Sequence, residues 1–485
     1  MHWKTKLYCM LLFAIAVAVR LPQLNRPLSK HHEFNMAMVL NVCKSWDIIG
    51  GAAAANYCPV IHYGNAADSI YIQSPTVING KYYYISIGPL QCVLPYYFCK
   101  MLGLQFTPLH VAIFSILLFA LVCCVWYRLL VLFCKKFNSP NASVLIGMAV
   151  FLFLPNMLWF FGNAYNHESL ALLFYLVIIH HYYKHYYIQV PITKYSNVTL
   201  YTAIICGVLT DWFMVVVAAF FMLYLLVTNI KKNLVTIACI GFTVLASIAT
   251  ILYCYSQQWQ FNNLVQVLFG KFYTRTYGGS VQHYNIQSTL LAWLQHILSS
   301  YAFVGIGIIS TFIFASTSSK KLVAFKPIIL IMLPALFYFV VLSEFSAEND
   351  YAVLKFSFGL ILALMLLLNT CTKKIQIIIT IAICAANIAL YYYINKPGNT
   401  SYNGDAYNAI KNMGLYIKQT SKPTETIVVN TPVYNYLGVI YYAERNIVFL
   451  QNNEEVNEYI TTNKLHNVKV YTCVNDSITG SFLFR

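Results

Sequence analysis

Residues 111–133, VAIFSILLFALVCCVWYRLLVLF, decide the class of fold, because the only charged residue among them is Arg128. A helix that crosses a bilayer needs about 20 mainly apolar residues. The whole chain of 485 residues shares this character, with 59% hydrophobic, 16% aromatic and only 9% charged residues. Soluble domains carry about 25% charged residues. The composition therefore excludes a soluble enzyme, a disordered chain and a fibrous repeat, and it predicts a polytopic α-helical membrane protein.

Similar apolar runs recur along the chain and predict about eleven transmembrane helices. The first run follows Lys4 and Lys6, but no small-residue cleavage site comes after it, so we expect an uncleaved anchor rather than a signal peptide. The two runs around Asp211 are short and form either two half-depth helices or one long helix. The eleven runs are residues 7–19, 111–133, 142–161, 170–183, 200–209, 213–227, 234–253, 290–315, 327–342, 352–368 and 375–393.

The charged residues predict which side of the membrane each loop faces. Lysines concentrate in the cytoplasmic loops of membrane proteins. Here the lysines of the loops fall on the side of the N-terminus, namely Lys135, Lys136, Lys184, Lys194, Lys231, Lys232, Lys320, Lys321, Lys326, Lys373 and Lys374. With eleven spans, the C-terminus then lies outside the membrane.

The acidic residues mark the opposite side. The net charge of +16 comes from 31 basic and only 15 acidic residues, so it reflects a shortage of acids and gives no indication of nucleic acid binding. Acids avoid lipid, which explains why the spans lack them. It does not explain why every inner loop lacks them too. We therefore expect an outer polar cavity. The acids before residue 395 are Glu33, Asp47, Asp68, Glu168, Asp211, Glu344, Glu348 and Asp350.

The chain divides into a transmembrane module, residues 1–394, and an outer α/β domain, residues 395–485. Within the module, residues 20–109 form a first outer loop that is too long for a plain connector. Residues 255–287 form an outer loop whose aromatic and basic residues, next to Gly278-Gly279, suit a mobile lid. An ordinary interfacial loop explains that segment equally well.

The first outer loop contains two helical stretches that suit the membrane interface. Residues 29–46 have a helical apolar face, with Ser29 as the expected N-cap and Glu33 in the first turn. The second stretch follows Pro89. Cys43 and Cys58 share this loop, and the sequence leaves open whether they form a disulfide.

The tail alternates between helical and strand patterns, which predicts a small α/β domain. Helices are expected at residues 405–419, 433–443 and 454–462, and strands at 426–430, 446–450 and 468–473.

Four short motifs carry a resemblance to a known family. Arg20 ends the first span, and HHEF follows at residues 31–34. Residues 82–90 read YYYISIGPL at the end of the first loop, and residues 166–170 read NHESL at the start of a span. Late in the chain, residues 349–351 read NDY. With the long first loop and the α/β tail, these motifs resemble the GT-C class of polytopic glycosyltransferases. The most similar branch holds the lipid A aminoarabinose transferases and the protein O-mannosyltransferases.

The resemblance implies an inverting transfer of a sugar from a polyprenyl-phosphate-linked donor to a lipid, glycan or protein acceptor at the outer face. Inversion in one displacement needs a base that takes the acceptor's proton. Glu33 is the candidate for this base, and His31 or His32 would orient the acceptor or Glu33. Glu168, with His167 and Asp211, would bind the acceptor or support the site.

The donor phosphate needs cationic partners more than an acid. The candidates for this role are Lys355, Arg275 and Lys81. The chain departs from the family pattern, because His32 stands in place of the first acid of the Asp-Glu pair and Ile87 in place of a lysine before proline. Ser86 replaces an acid that helps to hold metal in some members. No metal ligand is therefore assigned, no cofactor is certain, and a divalent cation stays an open expectation.

Residue usage rich in Lys, Asn, Ile and Tyr indicates an AT-rich genome and favours the inner membrane of a bacterium, with the site on the extracytoplasmic face. The main alternative is a transporter or flippase for a lipid-linked or polar solute. Transporters favour internal repeats and charged groups at the bilayer midplane, and the sequence shows neither. A non-catalytic scaffold or an O-antigen-ligase-like enzyme is a further alternative.

Overall fold

The computed structural model describes residues 3–29, 31–64, 76–78, 80–137, 139, 141–276, 285–315, 322–396, 408–430, 435–463, 465–474 and 477–484. Several sequence predictions fall outside this part of the chain. They are Asp68 among the outer-face acids, the Gly278-Gly279 pair and the lysines 320 and 321.

The described part of the chain is predominantly helical. Its α-helices are α1 (Trp3–Leu24), α2 (Glu33–Ile49), α3 (Leu90–Met101), α4 (Pro108–Lys136), α5 (Asn141–Leu152), α6 (Pro155–Phe160), α7 (His167–Tyr182), α8 (Lys194–Val208), α9 (Phe213–Ser256), α10 (Phe261–Tyr273), α11 (Ile286–Ala315), α12 (Leu322–Val341), α13 (Ser343–Glu348), α14 (Ser357–Leu368), α15 (Lys373–Asn395), α16 (Ala409–Thr420), α17 (Tyr436–Ala443) and α18 (Asn453–Thr462). A π-helical turn, Tyr183–Tyr187, extends α7, and a 3₁₀-helix, Asp350–Phe356, precedes α14.

Six helices among the described residues are long and apolar enough to cross a membrane, which fits the predicted polytopic helical protein. The run at residues 142–161 is broken, because Pro155 lacks the N–H that a continuous helix requires and begins α6 instead. The runs at 213–227 and 234–253 form one helical stretch, α9, with extended backbone at Asn229.

The break at Asn229 folds α9 back on itself. The sulfur of Met222 lies 3.9 Å from the position of a Cβ on Gly241, and the Asn233 side chain donates to the Leu225 carbonyl at 3.0 Å. The two halves therefore pack side by side, as two separate apolar runs require. Residues 209–212, with Asp211, form the turn between α8 and α9.

Arg20 fastens the first outer loop to the helix bundle. Its guanidinium is fully buried and donates to the carbonyls of Ala16, Met157 and Leu158 at 2.7, 2.9 and 3.1 Å. It also lies 4.6 Å from the Phe119 ring centroid. These contacts direct the chain that leaves α1 towards the end of α6.

The first loop differs from its prediction at the start of α2. The helix begins at Glu33, and its N-cap is His32, so the expected N-cap at Ser29 is wrong. The reason is that Ser29 binds the side chain of Glu33 instead of the helix backbone. The loop also contains a small antiparallel sheet, in the order β1-β3-β2, that the sequence did not predict. Its strands are β1 (Val60–Ile61), β2 (Val77–Ile78) and β3 (Lys81–Tyr83).

Cys43 and Cys58, on the same loop, are both buried free thiols. The open question of a disulfide between them is therefore answered in the negative by this structure. Burial raises the pKa of both thiols well above the usual value, so they remain neutral.

The tail contains a four-stranded sheet in the order β5-β4-β6-β7. Its strands are β4 (Thr426–Val429), β5 (Ile447–Phe449), β6 (Val468–Val474) and β7 (Ser477–Phe484). The first three strands are parallel and lie where the alternating pattern predicts them, whereas antiparallel β7 was not predicted. The tail packs on the first loop, since Asn435 donates to the Ser29 carbonyl at 2.7 Å and α17 contacts α2.

Candidate active site

A buried ion pair joins two residues that are distant in sequence. The ammonium of Lys355, in the 3₁₀-helix, contacts a carboxylate oxygen of Glu168 in the first turn of α7. The ammonium also lies 4.8 Å from the ring centroids of both Phe213 and Tyr338. The pair is almost completely buried. Neither charge would be tolerated in this apolar environment without the other.

Glu168 is not required to cap its helix. The side chain of Asn166 accepts the Ser169 N–H at 2.9 Å and so caps α7. Apart from the contact with Lys355, neither carboxylate oxygen of Glu168 has a hydrogen-bond partner among the described residues. A buried carboxylate that caps no helix and binds no backbone N–H is a candidate functional group.

Asp211 lies beside Glu168, on the turn before α9. Its Oδ1 accepts the Phe213 N–H at 2.9 Å and the Tyr338 hydroxyl at 3.3 Å. Its Oδ2 lies 3.8 Å from Nε2 of His167. Three potential ligand atoms, one each from His167, Glu168 and Asp211, lie within 4.8 Å of one another. This trio could therefore hold a cation. A nitrogen and two carboxylate oxygens suit Zn²⁺ or Mn²⁺ better than Ca²⁺.

Asp350 forms a second centre with the two histidines before α2. Nε2 of His31 lies 2.9 Å from Asp350 Oδ2, and Nε2 of His32 lies 3.1 Å from Asp350 Oδ1. Nδ1 of His31 also binds Oδ1 of Asn395 at 2.8 Å. The His31 ring stacks on Trp159, with centroids 4.8 Å apart. Both ring nitrogens of His31 are thus engaged.

Glu33 forms a third set of contacts, next to the second. Its Oε1 accepts from Nε of Arg26 at 3.2 Å, and its Oε2 accepts from both the backbone N–H and the hydroxyl of Ser29. Arg26 in turn donates to the Asn395 carbonyl at 3.1 Å and lies 4.2 Å from the Trp159 ring centroid. Both carboxylate oxygens of Glu33 are therefore held by donors of its own loop.

Tyr351 connects the centres. Its ring contacts that of His32 edge-on at a centroid distance of 5.0 Å, and that of His167 at 5.9 Å. The acidic residues Glu168, Asp211 and Asp350 consequently lie in one buried region, on the two sides of the Tyr351 ring, although they come from three distant segments. We call this region, with its histidines and Lys355, the acidic centre.

A cavity of about 620 Å³ opens beside the acidic centre. Apolar residues of α9, α10 and α12 form most of its wall, and Lys271 and Arg275 contribute positive charge. Tyr338 lines the cavity and also donates to Asp211, so it joins the cavity to the acidic centre. Arg275 is anchored, since its carbonyl accepts the Glu344 N–H at 3.1 Å and its guanidinium lies 5.2 Å from the Phe345 ring centroid.

The structure brings most of the predicted site residues together. Glu168, His167, Asp211 and Lys355 form one cluster, and Arg275 interacts electrostatically with both Glu168 and His167. His32 and Glu33 lie in the neighbouring centres. Lys81 is separate, on β3, where it adds to burial in lowering the pKa of His62. Sequence reasoning gave no role to Tyr351 of the NDY motif and missed Arg26, Asn395 and Tyr338, because single polar or aromatic residues at the ends of spans give no pattern by themselves.

The end of the first loop holds the Asp211 turn in place. The Gly88 N–H donates to the Thr210 carbonyl at 3.2 Å, and a Cβ on Gly88 would lie 2.0 Å from the Leu209 carbonyl oxygen. Because backbone must move to relieve that clash, Gly88→Ala should destabilise the protein by about 3 kcal/mol and displace Asp211. Thermal unfolding in detergent measures the loss. Gly305→Ala, whose Cβ would meet nothing within 4 Å, is the control and should unfold as wild type does.

No protein-family model matches the chain, and no curated protein sequence is significantly similar to it. Solved structures do match. ArnT, the aminoarabinose transferase of Cupriavidus metallidurans, in its complex with undecaprenyl phosphate, superposes with a TM-score of 0.63 at 10% identity, over 96% of this chain and 92% of that one. ArnT is a GT-C glycosyltransferase. The chain has the GT-C fold.

Two structures of the Archaeoglobus fulgidus oligosaccharyltransferase, another GT-C enzyme, support the same conclusion. The complex with Zn and sulfate matches with a TM-score of 0.57 at 12% identity, over 96% of this chain and 67% of that one. The complex of AglB with an inhibitory peptide and a dolichol-phosphate matches with a TM-score of 0.55 at 11% identity, over 97% and 70%. The resemblance drawn from the four motifs is thereby confirmed at the level of the fold.

Proposed function

We propose that this protein is an inverting glycosyltransferase that moves a sugar from a polyprenyl-phosphate-linked donor to an acceptor at the outer face of the membrane. The observation that carries the proposal is the apolar cavity with Lys271 and Arg275 in its wall, joined through Tyr338 to a buried acidic centre. A polyprenyl phosphate has the same two parts, a long apolar chain and an anionic head.

The structural neighbours support this choice of donor. The ArnT structure contains undecaprenyl phosphate and the AglB structure contains dolichol-phosphate. In this chain, the polyprenyl chain would lie against the apolar wall formed by α9, α10 and α12. The phosphate would bind Lys271 and Arg275, with Lys355 as a further cation. Lys81 stays a weaker candidate, since it lies on the small sheet of the first loop.

The reaction would be a single displacement at the anomeric carbon of the sugar. The acceptor oxygen bonds to C1 as the bond from C1 to the phosphate oxygen breaks, and polyprenyl phosphate leaves. Lys271 and Arg275 stabilise the charge that develops on the leaving phosphate. The acceptor proton passes to a base from the pair His32 and Glu33. Glu168 binds or orients the acceptor, and Lys355 holds Glu168 in place.

His167, Glu168 and Asp211 are the residues that would hold a divalent cation. Bound there, it would supply Lewis-acid stabilisation of the leaving phosphate. The ammonium of Lys355 already provides a positive charge at Glu168. Ser86, which lines the donor cavity, offers only a hydroxyl where some family members have an acid.

The outer face and the bacterial inner membrane belong to the same proposal. Glu33, Glu168, Asp211 and Asp350 are all buried in or next to the acidic centre. The loops rich in lysine lie at the opposite ends of the helices. Lys136, at the end of α4, lies 5.4 Å from the ring centroid of Tyr187, just beyond the end of α7, whereas Glu168 lies at the start of α7. By the positive-inside rule, the acidic centre would then lie outside.

Donor binding should depend on pH through Lys271. Burial and the neighbouring Arg275 lower the pKa of Lys271 to about 8. Its positive charge is present below that value and is lost as pH rises through it. Affinity for undecaprenyl-phosphate mannose, a diester whose own charge is constant in this range, should weaken about tenfold between pH 7 and pH 9.

Binding to the protein in nanodiscs measures this effect. Lys271→Arg should bind the diester equally well at both pH values, because arginine stays charged. Arg275→Ala should bind at least tenfold more weakly at pH 7. Lys231→Ala, which removes an exposed lysine far along α9, is the matched control and should bind as wild type does. Unchanged affinity in the Arg275 variant would contradict the proposed donor site.

A further inference from the structure

His32 is unusual in its backbone. It has φ 53° and ψ 12°, in the left-handed region, and its side chain makes no capping hydrogen bond to α2. Residues other than glycine pay about 1–2 kcal/mol for this conformation. Such strain persists where the surroundings fix it, and it is concentrated at functional sites. Here the imidazole is fixed by Asp350, at 3.1 Å, and by the edge-on ring of Tyr351.

Glu33 is poorly arranged to accept a proton. Arg26 occupies one carboxylate oxygen, and two donors of Ser29 occupy the other. Donors of its own loop therefore stand where the hydroxyl of an acceptor would have to bind. The Glu33 side chain is only 2% exposed. An acceptor would have to displace Arg26 or Ser29 before its hydroxyl could reach an oxygen of Glu33.

His32 has the opposite arrangement. Its Nε2 faces Asp350, and among the described residues its Nδ1 has no hydrogen-bond partner. Its side chain is 13% exposed, compared with 4% for that of His31. A carboxylate that binds one nitrogen of an imidazole leaves the other nitrogen free to accept a proton and stabilises the imidazolium that results.

We propose that His32 is the catalytic base, with Asp350 and His31 as positioning residues. This inference rests on the proposed glycosyl transfer. The proton of the acceptor hydroxyl moves to Nδ1 of His32 as the acceptor oxygen bonds to C1 of the sugar and the bond between C1 and the phosphate oxygen breaks. Polyprenyl phosphate leaves with the electron pair of that bond. The imidazolium, paired with Asp350, afterwards releases its proton to water.

The roles of the partners follow from the contacts. Asp350 orients the His32 ring and balances its charge. His31 binds the other oxygen of Asp350 and is itself fixed by Asn395 and the Trp159 stack, so the carboxylate cannot turn away from His32. Glu33, in contrast, neutralises Arg26 and shapes the loop on which both histidines stand.

The test uses the full-length protein in nanodiscs with a panel of undecaprenyl-phosphate sugars and membranes of the source organism as acceptor. We expect His32→Ala to lower the rate of undecaprenyl phosphate release by about 100-fold or more. Its affinity for undecaprenyl phosphate should stay within twofold of wild type. Added imidazole should restore part of the rate in His32→Ala and none in Asp350→Asn. His466→Ala, at an exposed histidine of the tail, is the control and should be fully active.

Three results would overturn the inference. One is a His32→Ala rate within threefold of wild type. Another is a large loss of rate in His32→Ala that imidazole does not restore, together with an equally inactive Arg26→Met/Glu33→Gln variant. That combination would return the role of base to Glu33. The third is a wild-type protein that binds undecaprenyl phosphate but releases none from any sugar of the panel. That last result would remove the proposed function itself, and so separates the two failures.

Discussion

Replacing Lys355 with methionine should destabilise the protein by about 3–5 kcal/mol and abolish sugar transfer. The substitution leaves the buried carboxyl of Glu168 without its cation, which is the costly way to break a buried ion pair. Removing a buried pair as a whole costs far less. The double variant Lys355→Met/Glu168→Gln should therefore recover most of the lost stability.

The double variant separates folding from function. Thermal unfolding in detergent should show Lys355→Met well below wild type and the double variant close to it. Sugar transfer should be absent in both, because the proposed mechanism requires Glu168 at the acceptor and Lys355 at the donor phosphate. A double variant that regains transfer along with stability would reduce the pair to a structural role.

Glu33→Gln should also cost about 3–5 kcal/mol, because Arg26 then loses the carboxylate that balances its buried charge. The loss should be visible as a lower unfolding temperature and reduced yield. Arg26→Met/Glu33→Gln should restore stability. If His32 is the base, this double variant should also transfer sugar within about tenfold of wild type, because the loop is intact again.

The coupling between the two residues gives a second check. A double-mutant cycle on Arg26 and Glu33 should return an interaction energy of at least about 3 kcal/mol, because the double variant recovers what Glu33→Gln alone loses. Additive effects of the two single substitutions would contradict the pairing seen in the structure. Lys100→Met and Asp47→Asn, an exposed pair at 2.6 Å, form the control cycle and should couple by less than about 1 kcal/mol.

Much of the fold could be predicted because lipid imposes a strong rule. A helix with almost no charges, such as α4, can be recognised from composition alone. The tail could be predicted because its helices and strands alternate with clear periods. The small sheet of β1, β2 and β3 could not, since strands of two or three residues carry too little pattern. The number of spans is harder to predict from sequence than the class, because α9 folds at a single residue, Asn229.

The site could be predicted in part for a physical reason. Acids are rare in this chain, so Glu168 and Asp211 were conspicuous next to apolar runs, and the structure places them together. The Ser29 cap was wrong because local pattern does not reveal that a buried carboxylate competes for the serine. The approach of His31 and His32 to Asp350 joins positions about 320 residues apart, and one sequence holds no signal for such a contact.

Release of undecaprenyl phosphate from an undecaprenyl-phosphate sugar is the measurement that decides whether the protein is a glycosyltransferase. The purified protein in nanodiscs is mixed with donors of known anomeric configuration and with membranes of the source organism, and both products are analysed. We expect free undecaprenyl phosphate and a product with the opposite configuration at the anomeric carbon, and neither with Lys355→Met/Glu168→Gln. An intact donor that is bound, or merely moved between leaflets, would contradict it and indicate a transporter.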